Sequence, residues 1–180
     1  HQRRDRQLNC VGELFGEDIV DAAMLGVRGS KIASHHLAEV AGIVASVAHG
    51  DGRDLAMADQ MIAAAWLHDT VEDCGITLGQ IESRFGFMVA VGVSGLTDIE
   101  AGANRAERKA KGRERLAKCA GWIQTIKCAD LISNTASIVQ HDPKFAVTYL
   151  EEKRLLLEVM TNADRRLHAI ASSIAKGEAV

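Results

Sequence analysis

Apolar residues recur at helical spacing along almost the whole chain. Leu37, Val40, Val44 and Val47 follow the three-and-four spacing of an amphipathic helix, and the glycines near residue 50 end it. A single proline and little strict alternation of apolar and polar residues argue against β-sheet. The same spacing predicts further helices at about residues 14–26, 55–68, 77–85, 87–96, 104–118, 122–139, 144–160 and 163–175. We therefore predict an all-α fold.

Two helix starts are marked by local chemistry. Thr77 and Gln80 have the spacing of a capping box, and Asp142 followed by Pro143 provides an N-cap and a proline at the first helical position. No internal repeat or linker divides the chain. Residues 1–180 are therefore predicted to form one domain, a bundle of roughly eight to ten helices.

Composition narrows the classes of partner. A net charge of −3 and a pI near 6.2 provide no general attraction to nucleic acid or anionic membranes, so an anionic ligand requires a local site. The four cysteines form no CxxC pair, which argues against a zinc ribbon and a secreted disulfide scaffold. With no apolar run long enough for a membrane span or signal peptide, we expect a cytoplasmic protein. Oligomeric state does not follow from the sequence.

The strongest candidate for chemistry is an acidic cluster that follows an apolar run. His68 and Asp69 are adjacent, and Glu72 and Asp73 lie four residues beyond each, so a continuous helix would gather all four in one small area. Crowded carboxylates raise one another's pKa unless a cation lies among them. A divalent metal bound by His68 and Asp69 resolves that conflict. The alternative is a solvated acidic helix end with a hydrogen-bonded histidine.

Two other segments carry matching polar residues. Lys127, Asp130 and Asn134 occupy one face of an otherwise apolar helix, so the carboxylate needs a metal or a cation, and Lys127 alone is the simpler candidate. His35 and His36 lie near the start of the predicted helix that contains Leu37 to Val47. Taken alone, either histidine is more often structural than a ligand.

Together these segments resemble the HD-domain metal-dependent phosphohydrolases. More narrowly, they resemble the alarmone-hydrolase branch, which comprises the hydrolase domain of RelA/SpoT-type enzymes and their small single-domain relatives. The resemblance is carried by His36 with Val40-Ala41, by His68-Asp69-Thr70-Val71-Glu72-Asp73 and by the segment from Lys127 to Asn134. It covers roughly residues 15–160.

The resemblance implies a site and a reaction. His36, His68, Asp69 and Asp130 would bind one Mn²⁺ ion, a donor set that suits an octahedral mid-row ion. The implied reaction removes pyrophosphate from the 3′ position of the alarmones ppGpp or pppGpp, as in the stringent response. The remaining roles are assigned by the same likeness: Glu72 and Asp73 in catalysis, and Arg28, Lys127 and Asn134 in substrate binding.

Other functions are also considered. Relatives usually have Tyr and Pro where this chain has Ala33 and Leu37, which leaves room for another substrate, such as the 2′-phosphate of NADPH or a nucleoside monophosphate. An inactive nucleotide-sensing module is the third possibility, although the presence of every presumed ligand argues against it. The basic run from Arg105 to Arg115 is read either as a solvated helix face or as a phosphate-binding lip.

Overall fold

Helices account for the regular structure throughout the described part of the chain. The computed structural model describes residues 31–50, 52, 54–98, 102 and 104–178. The predicted helix at 14–26 and the predicted substrate residue Arg28 lie outside these residues. Within them the helices are α1 (Lys31–Ala48), α2 (Leu55–Leu67), α3 (Thr70–Cys74), α4 (Leu78–Phe85), α5 (Phe87–Leu96), α6 (Arg105–Lys118), α7 (Gly121–His141), α8 (Pro143–Val159) and α9 (Arg165–Ala175). The all-α prediction is confirmed.

Helix α7 is the element around which the others pack. It contacts α1, α2, α5, α8 and α9, and its buried side chains Ile123, Ile126, Ala129 and Leu131 belong to the main hydrophobic core. Helices α1 and α2 pack against each other on one side of it, and α8 and α9 on the other. A polar residue on α7 can therefore reach the inside of the bundle.

Close helix packing depends on a glycine in α5. A Cβ atom added at Gly92 would lie 2.6 Å from the Trp122 ring and 2.9 Å from the Cβ of Ala64. Such distances are well below an ordinary van der Waals contact of 3.5–4.0 Å. The absence of a side chain here lets α5 approach α2 and α7.

The predicted helix starts at Thr77 and Asp142 are confirmed. Thr77 and Gln80 form a reciprocal capping box at the start of α4. The carboxylate of Asp142 accepts a hydrogen bond from the Phe145 amide at 3.0 Å, and Pro143 begins α8. These ends follow from local hydrogen bonding, which explains why sequence predicts them well.

Two details of the prediction are wrong. The segment from His68 to Asp73 is not one continuous helix, since α2 ends at Leu67 and α3 begins at Thr70. The Thr70 hydroxyl donates to the Leu67 carbonyl at 2.7 Å, and Asp69 has the dihedral angles φ −99° and ψ −2°. In addition, His36 lies in the second turn of α1 and not at its start, because α1 begins at Lys31.

No described helix combines the length and the apolar content needed to cross a membrane.

Candidate metal centre

Four side chains from three segments converge between α1, the end of α2 and α7. His36 Nε2 lies 3.3 Å from His68 Nε2 and 3.2 Å from Asp130 Oδ1. Asp69 Oδ2 lies 3.1 Å from His68 Nε2 and 3.7 Å from His36 Nε2. These are the four residues that the sequence analysis assigned as ligands, and three of them, His36, His68 and Asp130, have donor atoms that could hold a single ion.

Hydrogen bonds on the far side of each imidazole set its tautomer. His68 Nδ1 lies 2.7 Å from the Ala65 carbonyl oxygen, which can only accept, so Nδ1 carries the proton. His36 Nδ1 lies 2.9 Å from Ser133 Oγ, whose own proton is donated to Glu39 at 2.8 Å. Both Nε2 atoms therefore face the cluster, and imidazoles held in this way are typical of metal ligands.

Electrostatics at the cluster favour a cation. Burial lowers the pKa of His68, but hydrogen bonds to Asp130 and Asp69 outweigh it and raise that pKa to about 10. Burial also raises the pKa of Asp130, but Lys127 and the two histidines hold that pKa well below its usual range. The carboxylate therefore stays ionised, and the residues fit a divalent metal by donor type and by placement.

Glu72 is oriented by the end of α5. Its Oε1 accepts a hydrogen bond from the Asp98 backbone amide at 2.7 Å. Burial raises the pKa of Glu72, the hydrogen bond from the Asp98 amide opposes this shift, and the negative charges of Asp98 and Asp69 add to it, so the pKa is shifted upward as expected. Of the carboxylates in the cluster, Asp69 contributes to the shift, and burial is the largest cause. Asp73 is an exposed residue of the short helix α3.

Two of the predicted substrate residues are turned toward Asp130. Lys127 Nζ lies 2.7 Å from Asp130 Oδ2, and Asn134 Nδ2 donates to Asp130 Oδ1 at 2.6 Å. The one-face arrangement expected for α7 is therefore present. In this structure both side chains support a presumed ligand, and their contact with substrate stays a prediction.

Sequence reasoning missed three residues that organise the site. Ser133 and Glu39 hold His36, and Asp98 holds Glu72. A usable signal existed for Ser133 and for Glu39, because each follows a presumed ligand of its own helix, Asp130 and His36, at a spacing of three and so shares its helix face. Asp98 lies beyond the end of α5, and no local pattern relates it to the site.

The basic run of α6 is partly paired. Arg105 forms a two-point interaction with Glu152 at 2.6 and 2.9 Å, while Lys109 and Arg115 contact Asp98 at 3.0 and 3.3 Å. The run is therefore not simply a solvated helix face, and these three residues are held in ion pairs and do not form a free phosphate-binding lip. These residues bind the middle of α8 and the segment that follows α5, and one side of α6 lines a pocket.

Comparison with known proteins places the fold in a family. The HD domain family model matches residues 27–141. The guanosine-3′,5′-bis(diphosphate) 3′-pyrophosphohydrolase MESH1 of Danio rerio is 36% identical over 85 residues, covering 47% of each chain. A probable guanosine-3′,5′-bis(diphosphate) 3′-pyrophosphohydrolase of Synechocystis sp. is 49% identical over 47 residues, 26% of this chain and 6% of the relative. The chain thus spans about half the length of the first relative and a small part of the second.

A solved structure has the same fold. It is described as a metazoan ortholog of SpoT that hydrolyzes ppGpp and plays a role in starvation responses. It superposes with a TM-score of 0.67 at 23% identity, covering 80% of each chain.

Proposed function

This chain belongs to the HD domain family, and we propose that it is a metal-dependent phosphohydrolase that removes pyrophosphate from the 3′ position of ppGpp or pppGpp. The observation that carries the proposal is the convergence of His36, His68, Asp69 and Asp130 at distances of 3.1 to 3.7 Å. The similarity to relatives described as 3′-pyrophosphohydrolases supports the substrate.

The proposed metal is Mn²⁺. Two imidazole nitrogens and two carboxylates suit an octahedral mid-row ion that retains open positions. When bound, such an ion polarises a phosphoryl oxygen and lowers the pKa of a coordinated water. The half-exposed side chain of Asp69 provides the open face of the site, because the other three ligands are more deeply buried.

In the proposed reaction, water adds to the 3′-linked phosphorus and the bond to the 3′ oxygen breaks. The products are GDP or GTP and pyrophosphate, and the 3′ oxygen gains a proton. Glu72 is proposed to exchange that proton, because its raised pKa brings it closer to the working pH, where acid–base transfer is most effective. We propose Asp73, the other carboxylate assigned to catalysis, as the alternative residue for this proton transfer. Lys127, whose ammonium lies beside Asp130, is proposed to offset the negative charge of the substrate.

Measurement of pyrophosphate release from ppGpp, with and without added Mn²⁺, tests the proposal. We expect release only with metal, and none from GTP, which lacks the 3′ group. Asp69→Ala should abolish both metal binding and turnover. A parallel panel containing NADPH and nucleoside monophosphates identifies the substrate, and turnover of one of these in place of ppGpp would contradict the proposed specificity.

A further inference from the structure

A charged pocket lies beside the candidate metal centre, between α6, α7 and α8. It is an open pocket with an accessible volume of about 30 Å³, within a space of about 370 Å³ that includes open solvent. Its charged lining comprises Asp98, Lys109, Arg113, Lys127, Glu152 and Lys153. Cations therefore outnumber carboxylates on its walls.

The two carboxylates are already neutralised by cations of α6, one of which, Lys109, also lines the pocket. Asp98 is paired with Lys109 and with Arg115, and Glu152 is paired with Arg105. Within the described residues, neither Arg113 nor Lys153 has an ion-pair partner. The pocket thus carries positive charge that the described chain does not balance.

In the described part of the chain, Lys153 faces an aromatic ring and forms no ion pair. Its Nζ lies 4.7 Å from the centroid of the Tyr149 ring, a cation–π contact on one side only. Burial, followed by repulsion from Lys127 and Lys109, lowers the pKa of Lys153 from 10.5 to about 8. A partly buried ammonium without an anion is unfavourable, so the arrangement suits an anionic ligand.

Lys127 connects the pocket to the metal centre. Its ammonium lines the pocket and lies 2.7 Å from Asp130 Oδ2, while Oδ1 of the same carboxylate faces His36 at 3.2 Å. The carboxylate of Asp130 therefore lies between the proposed metal position and the pocket. An anion in the pocket would be next to the group that reacts.

We propose that this pocket binds the distal phosphate of the pyrophosphate group that is cleaved, and that Lys153 is the residue that selects pyrophosphate over a single phosphate. This inference rests on the proposed function. It assigns to Arg113 and Lys153 the binding of the leaving group's negative charge, while the metal centre holds the phosphate that is attacked.

Binding of inorganic pyrophosphate to EDTA-treated protein tests the pocket without turnover. Loss of a hydrogen bond to a charged group corresponds to roughly 10–100-fold in affinity, so Lys153→Met should weaken pyrophosphate binding by that factor in calorimetry. Lys153→Arg should retain part of it, and Lys118→Met, at the exposed end of α6, should match the wild type. Absence of binding to the wild type, or equal affinities throughout, would overturn the inference.

Kinetics with nucleotides that carry fewer phosphates at the 3′ or the 5′ end show which phosphate the pocket binds. Lys153→Met should lower kcat/KM roughly 10–100-fold for substrates with a 3′-pyrophosphate, whether the 5′ end carries one phosphate or two, and should have little effect on a 3′-monophosphate. A loss that disappears when the 5′ end is shortened would place the 5′ phosphates in the pocket and refute the assignment. If the wild type does not turn over ppGpp, the proposed function fails, while pyrophosphate binding still reports on the pocket.

Discussion

The metal centre and the neighbouring pocket differ in the sign of the charge that their side chains leave unbalanced. In the metal centre, carboxylates from two segments face imidazole nitrogens, and His36, His68 and Asp130 are each held by a further hydrogen bond or ion pair. In the pocket, the carboxylates are paired with cations of α6, and among the described residues Lys153 contacts an aromatic ring and forms no ion pair. The first region is organised to receive a cation, and the second an anion.

This difference shows how one buried lysine can serve both regions. Lys127 compensates Asp130 within the metal centre and adds positive charge to the pocket. A phosphate ester with two linked phosphates presents negative charge to both regions at once. The contrast leads to four predictions, which differ in the size of the expected effect.

Removal of one imidazole should have the largest effect. His36→Ala takes away a presumed ligand whose Nε2 faces Asp130 at 3.2 Å, so we expect loss of detectable metal binding and of activity. His35→Ala is the matched control, because His35 is adjacent and exposed. Metal content by mass spectrometry and turnover of ppGpp check both variants, and an active, metal-loaded His36→Ala protein would refute the ligand assignment.

Glu72→Gln should separate catalysis from metal binding. If Glu72 exchanges the proton, kcat should fall by about 10²–10⁴-fold, with metal content unchanged because Glu72 bonds to Asp98 and not to a presumed ligand. Glu82→Gln, on the exposed face of α4, is the control. A normal kcat in Glu72→Gln would move the acid–base role to Asp73.

Ser133→Ala should weaken the metal centre without abolishing it. The variant removes the hydrogen bond that orients His36 at 2.9 Å. Loss of such a supporting contact typically reduces metal affinity 10–100-fold. Ser133→Thr keeps the hydroxyl and should bind metal more tightly than Ser133→Ala in a chelator competition; equal affinities for the two variants would show that the hydroxyl has no role.

Lys153→Met should increase stability while it impairs pyrophosphate binding. Folding lowers the pKa of Lys153 from 10.5 to about 8, so between these values the unfolded chain binds more protons and the free energy of unfolding rises with pH. Below pH 8 the wild type bears the full cost of the partly buried ammonium. We expect the variant to gain about 1 kcal/mol there, roughly 2–4 °C in Tm.

The pH dependence provides the control for that prediction. The gain in Tm should shrink as the pH rises from 8 toward 10.5, because the lysine of the folded wild type is then neutral and the cost of removing its proton falls as the pH approaches the unfolded-state pKa. Scanning calorimetry at pH 7 and pH 10 measures it. A variant that is less stable at pH 7, or a gain that is equal at both values, would show that Lys153 is not an uncompensated charge.

The structural features that were predicted correctly from sequence depend on local interactions. Helix periodicity and the caps at Thr77 and Asp142 act within a few residues, and the structure has those elements at nearly the predicted positions. The spacing of Lys127, Asp130 and Asn134 also predicted one shared face, since it depends only on helix geometry. The break at His68 and Asp69 was missed, because the hydrogen bond between Thr70 and Leu67 competes with a continuous helix.

The sequence by itself determined the helices, the family resemblance and the four presumed ligands. Tertiary structure alone decided that Ser133 and Glu39 orient His36, that Asp98 orients Glu72, and that Lys153 lies in a pocket where no described residue forms an ion pair with it. The reason is physical. Helix signals arise from neighbours three or four residues apart, whereas the pKa of Lys153 and the direction of Glu72 depend on residues brought together only when α5, α6, α7 and α8 pack.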